Sequence, residues 1–112
     1  MLIYKIFRSH EWAALQERGT TAGAPVDIAD GFVHLSTAEQ TSETLAKHFA
    51  GEDGLMLLAI ETDRLGDALR WEPSRGGALF PHLYRDLRLP DVVRAEPLTL
   101  KDGVHQLPAG LA

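Results

Sequence analysis

At 112 residues the chain is long enough for one ordinary core and too short for two. Its 45% hydrophobic and 24% charged residues describe a globular chain, and eleven basic against sixteen acidic side chains (formal charge −5) argue against a nucleic-acid partner, which needs a basic face for phosphate. With no cysteine, disulfides, thiolate metal sites and thiol catalysis are excluded.

The opening "MLIYKIFRSHEW" lacks the apolar core of a signal peptide, and no apolar run approaches the roughly 18 residues of a membrane span. The chain therefore reads as cytoplasmic, with no membrane partner. Within the opening, "LIYKIF" (Leu2 to Phe7) is β-branched and aromatic and predicts a first strand. Ser9 can cap a helix running to about Arg18, with Trp12 and Leu15 inward and Gly19 as its stop. "TTAGAPVDIAD" then predicts a loop with a turn at Asp30-Gly31. "GFVHLS" is a strand, and Ser36 or Thr37 can cap the following helix, since Glu39 or Gln40 stands three residues on. Ala38, Thr41, Leu45 and Phe49 form its inner stripe.

"LMLLAIE" (Leu55 to Glu61) predicts a central strand buried on both faces. A turn or short helix, "DRLGDAL", leads to "RWEP" and a flexible "SRGGA" loop. "LFPHLY" (Leu79 to Tyr84) is a strand or ordered loop, with Pro81 arguing against an interior strand. "DVVRAEPLTL" (Asp91 to Leu100) is a last strand, with Pro97 pointing to an edge. Residues 1–102 form a single domain in this reading, and 103–112 a loosely ordered tail. The total is α+β, with five or six strands and two main helices.

The candidate site begins with His34. On a strand, Phe32, His34 and Ser36 share one face while Val33 and Leu35 take the other. The capped helix that follows presents free backbone N–H groups, so His34, Ser36 and Thr37 can grip the hydroxyls or phosphates of a sugar-phosphate. A histidine hydrogen-bonded within the sheet is the alternative. Glu72, bracketed by Trp71 and Pro73, can act as a general base or hold a developing cation, or be a surface acid. His82 and Tyr84 alternate after Pro81, and Arg75 and Arg85 flank these segments as possible phosphate partners. No H-x-H, H-x-x-x-H or H-E-x-x-H occurs, so no metal is expected. Neither a G-x-S-x-G elbow nor a P-loop is present.

The pairing of "DGFVHLSTAEQ" with "LFPHLY", in a chain opening "IYKI…EW", resembles the bacterial domain of unknown function 952 from about Leu2 to Leu98. That resemblance implies a small split-sheet fold like that of ADP-ribosyltransferases, which bind NAD in a cleft. The order "IYKIFRSHEWAALQERG" then "FVHLS" is also similar to RNA 2′-phosphotransferases, where His34, Leu35 and Ser36 fit the end of an "H-V-H-L-S"-like strand. Lys5-Ile6 and Phe32 depart from that pattern. The implied function is a nucleotide-like pocket around His34, with Ser36 on ribose, Tyr84 on a ring, Arg75 or Arg85 on phosphate, and Glu72 at an oxocarbenium-like centre. A non-catalytic nucleotide or metabolite module, and a small-substrate hydrolase using His34 and His82, are the alternatives. Oligomeric state is open.

Overall fold

The computed structural model describes every residue except Gly110 and Ala112, and of Arg75 only the backbone. Its strands are β1 (Leu2–Arg8), β2 (Thr20–Thr21), β3 (Val33–His34), β4 (Leu55–Glu61), β5 (Leu69–Ser74), β6 (Ala78–Leu83), β7 (Leu87–Arg88), β8 (Val92–Lys101) and β9 (Val104–Gln106). Its α-helices are α1 (Ser9–Arg18), α2 (Pro25–Asp30) and α3 (Ala38–His48). The strands pair antiparallel in three sheets, ordered β1-β4-β8-β9, β3-β6-β5 and β2-β7. The architecture is α+β. Among the described residues no helix is long and apolar enough to cross a membrane.

Strand alternation explains how the large sheet is covered. Ile3 and Phe7 of β1 join Leu58 and Ile60 of β4 on one face, against Leu15 of α1 and Val33, Leu35 and Leu83 of the small sheet. Tyr4 and Ile6 join Leu57 and Ala59 on the other, against Leu45 of α3. Lys5 falls on the first face, between Ile3 and Phe7, and is 6% exposed. One isolated bridge links the two sheets, where Tyr4 and Ser36 exchange backbone hydrogen bonds of 2.8 and 2.9 Å.

Several expectations give way here. Arg8, not Ser9, precedes α1; its N–H donates to Glu11 Oε1 at 2.7 Å, while Ser9 donates to the Gly54 carbonyl. The expected loop before β3 contains a third helix, α2, with Pro25 in its first turn and Gly31 as its left-handed end (φ 85°). β6 lies between β3 and β5 despite Pro81. The proline is tolerated because the β3 ladder ends at His34; beyond it, only a Leu35 N–H to Pro81 carbonyl bond (3.1 Å) joins the chains. β8 lies between β4 and β9, although β9 covers only Thr99 to Lys101 and leaves Pro97 on an open stretch. The segment expected as a loose tail begins with β9. Asp102 and Gly103 both have positive φ (52° and 79°), the two-residue hairpin turn that matches strand twist. His105 Nε2 then meets the Glu52 carbonyl at 2.6 Å, and Leu107 and Leu111 pack on the core.

Candidate functional site

The small sheet turns one face to the core and the other away from it. Residues opposite each other across antiparallel strands share a face, so His34, His82 and Arg70 lie in one row, and Phe80 with Glu72 in the next. Val33, Leu35 and Leu83 take the core side. The opposite face therefore gathers His34, His82 and Glu72.

His34 is held from both ends of its ring. Nδ1 meets Asp27 Oδ1 at 2.6 Å and Nε2 meets Asp30 Oδ2 at 3.0 Å, two carboxylates from α2. Asp27 also accepts the His34 backbone N–H at 3.0 Å and caps α2 by accepting the Ala24 N–H at 2.7 Å. Behind it lies Lys5, whose Nζ is 2.7 Å from Asp27 Oδ2 and donates to the His34 carbonyl at 3.0 Å. Asp27 is 1% exposed, so this is a buried Lys-Asp pair orienting a half-buried imidazole. Burial pushes the Asp27 carboxyl upward, but the His34 hydrogen bonds and the Lys5 charge outweigh it and leave the group below the ordinary aspartate value. Burial lowers the Lys5 ammonium, with Asp27 opposing. The buried Asp27 fixes one ring nitrogen and the exposed Asp30 meets the other on the cleft wall, so the imidazole is held in one orientation beside the cleft.

A second group sits beside it. Glu72 Oε1 takes both His82 Nδ1 at 2.8 Å and the Tyr84 hydroxyl at 2.7 Å. The Tyr84 hydrogen bond, then that of His82, lowers the Glu72 carboxyl, while the same bond to Glu72 raises the Tyr84 phenol. Phe32 joins the groups, its ring 4.5 Å from that of His34, 4.2 Å from His82 and 5.1 Å from Tyr84. The His34 and His82 rings are 5.5 Å apart, edge on.

A cleft of about 790 Å³ opens on His34. Its walls come from β1 (Tyr4, Lys5), the start of α1 (Arg8, His10, Glu11), α2 (Pro25, Val26, Asp30) and α3 (Thr44, His48), with Ser74 and Phe80 from the small sheet. Ser36 lines it too, its hydroxyl 2.9 Å from that of Thr44. Thr37 does not reach the cleft. It is the cap of α3, its hydroxyl accepting the Gln40 N–H and its own N–H donating to Gln40 Oε1. Glu72, His82 and Tyr84 share the face of His34 but do not line the cleft.

Arg85, expected as a phosphate partner, does not line the cleft. Its guanidinium is spent on Asp91 (2.9 and 3.1 Å) and on the Asp86 and Arg64 carbonyls, because Asp91 lies across a turn within reach of both Nη atoms. The side chain of Arg75 lies outside the described residues. Sequence reasoning missed Lys5, Asp27 and Asp30. The signal for Lys5 was present, as one lysine on an otherwise apolar strand face has to find a buried partner.

Three comparisons place the chain among known proteins. A family model described as protein of unknown function (DUF952) matches residues 6–95. Among solved structures, the crystal structure of protein CC0527 from Caulobacter crescentus is 53% identical, covers 95% of this chain and 94% of its own, and superposes with a TM-score of 0.91. A double-mutant crystal structure of the same protein is 51% identical with the same coverage (TM-score 0.90), and its solution NMR structure is 54% identical over 94% and 91% (TM-score 0.84). No curated protein matches. With four-fifths of its length inside the family model and more than half its residues shared with a solved relative, the chain belongs to the DUF952 family.

Proposed function

We propose that the cleft beside His34 binds a small nucleoside-type ligand, and that NAD-like molecules are the first class to test. The observation that carries this reading is the anchored histidine: Asp27 fixes Nδ1 at 2.6 Å, and the ring forms part of the wall of a cleft large enough for such a ligand. His34 Nε2 and the Asp30 carboxylate stand together at that wall and match the donor and acceptor needs of neighbouring ribose hydroxyls. Pro25, Val26, Phe49 and Phe80 supply apolar surface for a ring. The resemblance to ADP-ribosyltransferases favours the same class, in an ADP-ribosyltransferase-like fold acting in the cytoplasm.

A second reading adds turnover. Glu72 is an ionised carboxylate on the same sheet face, two strand spacings of about 4.8 Å away from His34 and one pleat along. Glu72 stands outside the cleft, so this reading requires a ligand that extends from the cleft across the sheet face, where Glu72 would stabilise a cationic sugar centre as a glycosidic bond breaks. Glu72→Gln separates the two readings, since it abolishes cleavage and leaves binding intact.

The test is thermal unfolding with NAD, NADP, ADP-ribose and ribose 2′-phosphate, on wild type and His34→Ala. A ligand at about 100 times its dissociation constant adds about 2.7 kcal/mol, a shift of several degrees for a domain this size. A shift with any of them that is absent in His34→Ala supports the reading. No shift with all four ends it.

A further inference from the structure

The cleft holds a carboxylate oxygen that the described residues leave without a hydrogen bond. Glu11, the third residue of α1, lines it and is 9% exposed. Its Oε1 is occupied by the Arg8 backbone N–H, but its Oε2 is buried and has no hydrogen-bond partner among the described residues. The nearest guanidinium nitrogen, Arg8 Nη1, stands 4.0 Å away, and Arg8 commits Nε and Nη2 to Glu52 at 3.0 and 3.1 Å. Lys5 is taken by Asp27 and the His34 carbonyl.

Among the described residues that line the cleft, two cations, Lys5 and Arg8, stand with two carboxylates, Glu11 and Asp30, but both cations are committed to carboxylates behind the wall, Lys5 to Asp27 and Arg8 to Glu52. His10, His34, His48 and Tyr4 are the other titratable groups on the wall. A buried carboxylate oxygen with no hydrogen bond, on a cleft wall, is open to a donor or cation brought by a ligand. Its field is weakly screened and reaches across the cleft.

We propose that the cleft selects a ligand bearing a positively charged group, and that Glu11 is the counter-charge that receives it. The inference rests on the reading of the cleft as a ligand site and narrows it. A carboxylate oxygen takes a cation or a donor, so Glu11 would meet the ring of a nucleotide-type ligand rather than its phosphates. It suits a cationic ring attached to a ribose whose hydroxyls meet His34 and Asp30. Glu11 and His10 also line the adjoining groove of about 470 Å³, so the counter-charge sits where the two hollows meet.

The experiment compares nicotinamide riboside, which is cationic, with its uncharged dihydro form, by calorimetry on wild type, Glu11→Gln and His34→Ala. The two probes share every hydroxyl and differ in ring charge. Wild type should prefer the cationic form by tenfold or more, and Glu11→Gln should reduce that preference to twofold or less. Gln keeps the oxygen that caps Arg8, so the variant should fold; if it does not, the wild-type preference alone decides. Equal affinity for the two probes, or a preference that survives Glu11→Gln, overturns the charge inference and leaves the binding site standing. If neither probe binds wild type while one of the four nucleotides or sugar phosphates does, the charge inference falls and the binding site stands; if none of the six binds, both fall.

Discussion

Replacing Lys5 with methionine tests whether the buried pair behind His34 is as dry as its geometry implies. Methionine keeps most of the apolar stem against Ile3 and Phe7 but removes the ammonium 2.7 Å from Asp27. That leaves a carboxylate which is 1% exposed with no cation beside it. Breaking a buried pair from one side costs about 3–5 kcal/mol, because the partner's desolvation is no longer compensated. For a domain of this size that corresponds to a fall of about 10–20 °C in Tm. Urea unfolding at neutral pH, with Tm as a check, gives the number. In the variant, burial acts on Asp27 with less opposition, so its proton is taken up at higher pH than in wild type. The gap between the two proteins should then narrow as pH falls, and Lys5→Met/Asp27→Asn should recover part of the loss. A loss below about 1 kcal/mol, or a gap that does not change with pH, would refute the argument.

Other consequences follow from the same network and its neighbours. Gly23 has φ 106°, and a side chain there would be driven into the Asp27 carboxylate. Gly23→Ala should therefore cost at least about 2 kcal/mol in chemical denaturation and abolish any ligand response that depends on His34. Glu72→Gln should bring the Tyr84 phenol back down toward its ordinary 10.0, read from phenolate absorbance, because the Glu72 bond is the main cause of its rise. Asp91 is raised by burial but lowered further by Arg85 and the Arg88 N–H, so its folded value lies below 3.8. Its contribution is present above pH 3.8 and is lost as pH falls through the lower folded value, as is that of Asp27. Arg85→Leu should cost about 2–3 kcal/mol at neutral pH while leaving ligand binding unchanged. A weakened ligand response in that variant would restore Arg85 to the site.

The elements with strong local pattern are legible in the amino-acid order alone. β1, β4 and α3 carry their periodicity openly, and Thr37 with Gln40 marks a helix start by chemistry alone. The face of His34 is legible too, since period-two alternation separates it from Val33 and Leu35. α2 is hidden, although Pro25 and Gly31 mark its ends, because six residues are too few to show a helical stripe. The β9 hairpin is signalled by Asp102-Gly103, but so close to the chain end the signal resembles that of a frayed tail. The partners of His34 are harder to find. Lys5 and Asp27 meet only because β1 lies under α2, and no spacing along the chain encodes that. Arg85 looks available for phosphate because Asp91 comes within reach only after the turn at Leu89–Asp91 has formed.

The Tyr4–Ser36 bridge has a consequence for when the site exists. It is the stitch between two sheets whose strands otherwise pair only among themselves, and Ser36 stands on the cleft wall beside it. A chain that has assembled β1, β4 and β8 but has not docked the small sheet would own most of its core and lack the wall of its cleft that carries His34, Ser36 and Phe80. Amide exchange would make this visible. The Tyr4 and Ser36 protons should gain protection together and in step with ligand competence, whereas the Leu57 and Leu58 amides can be slow in molecules that bind nothing.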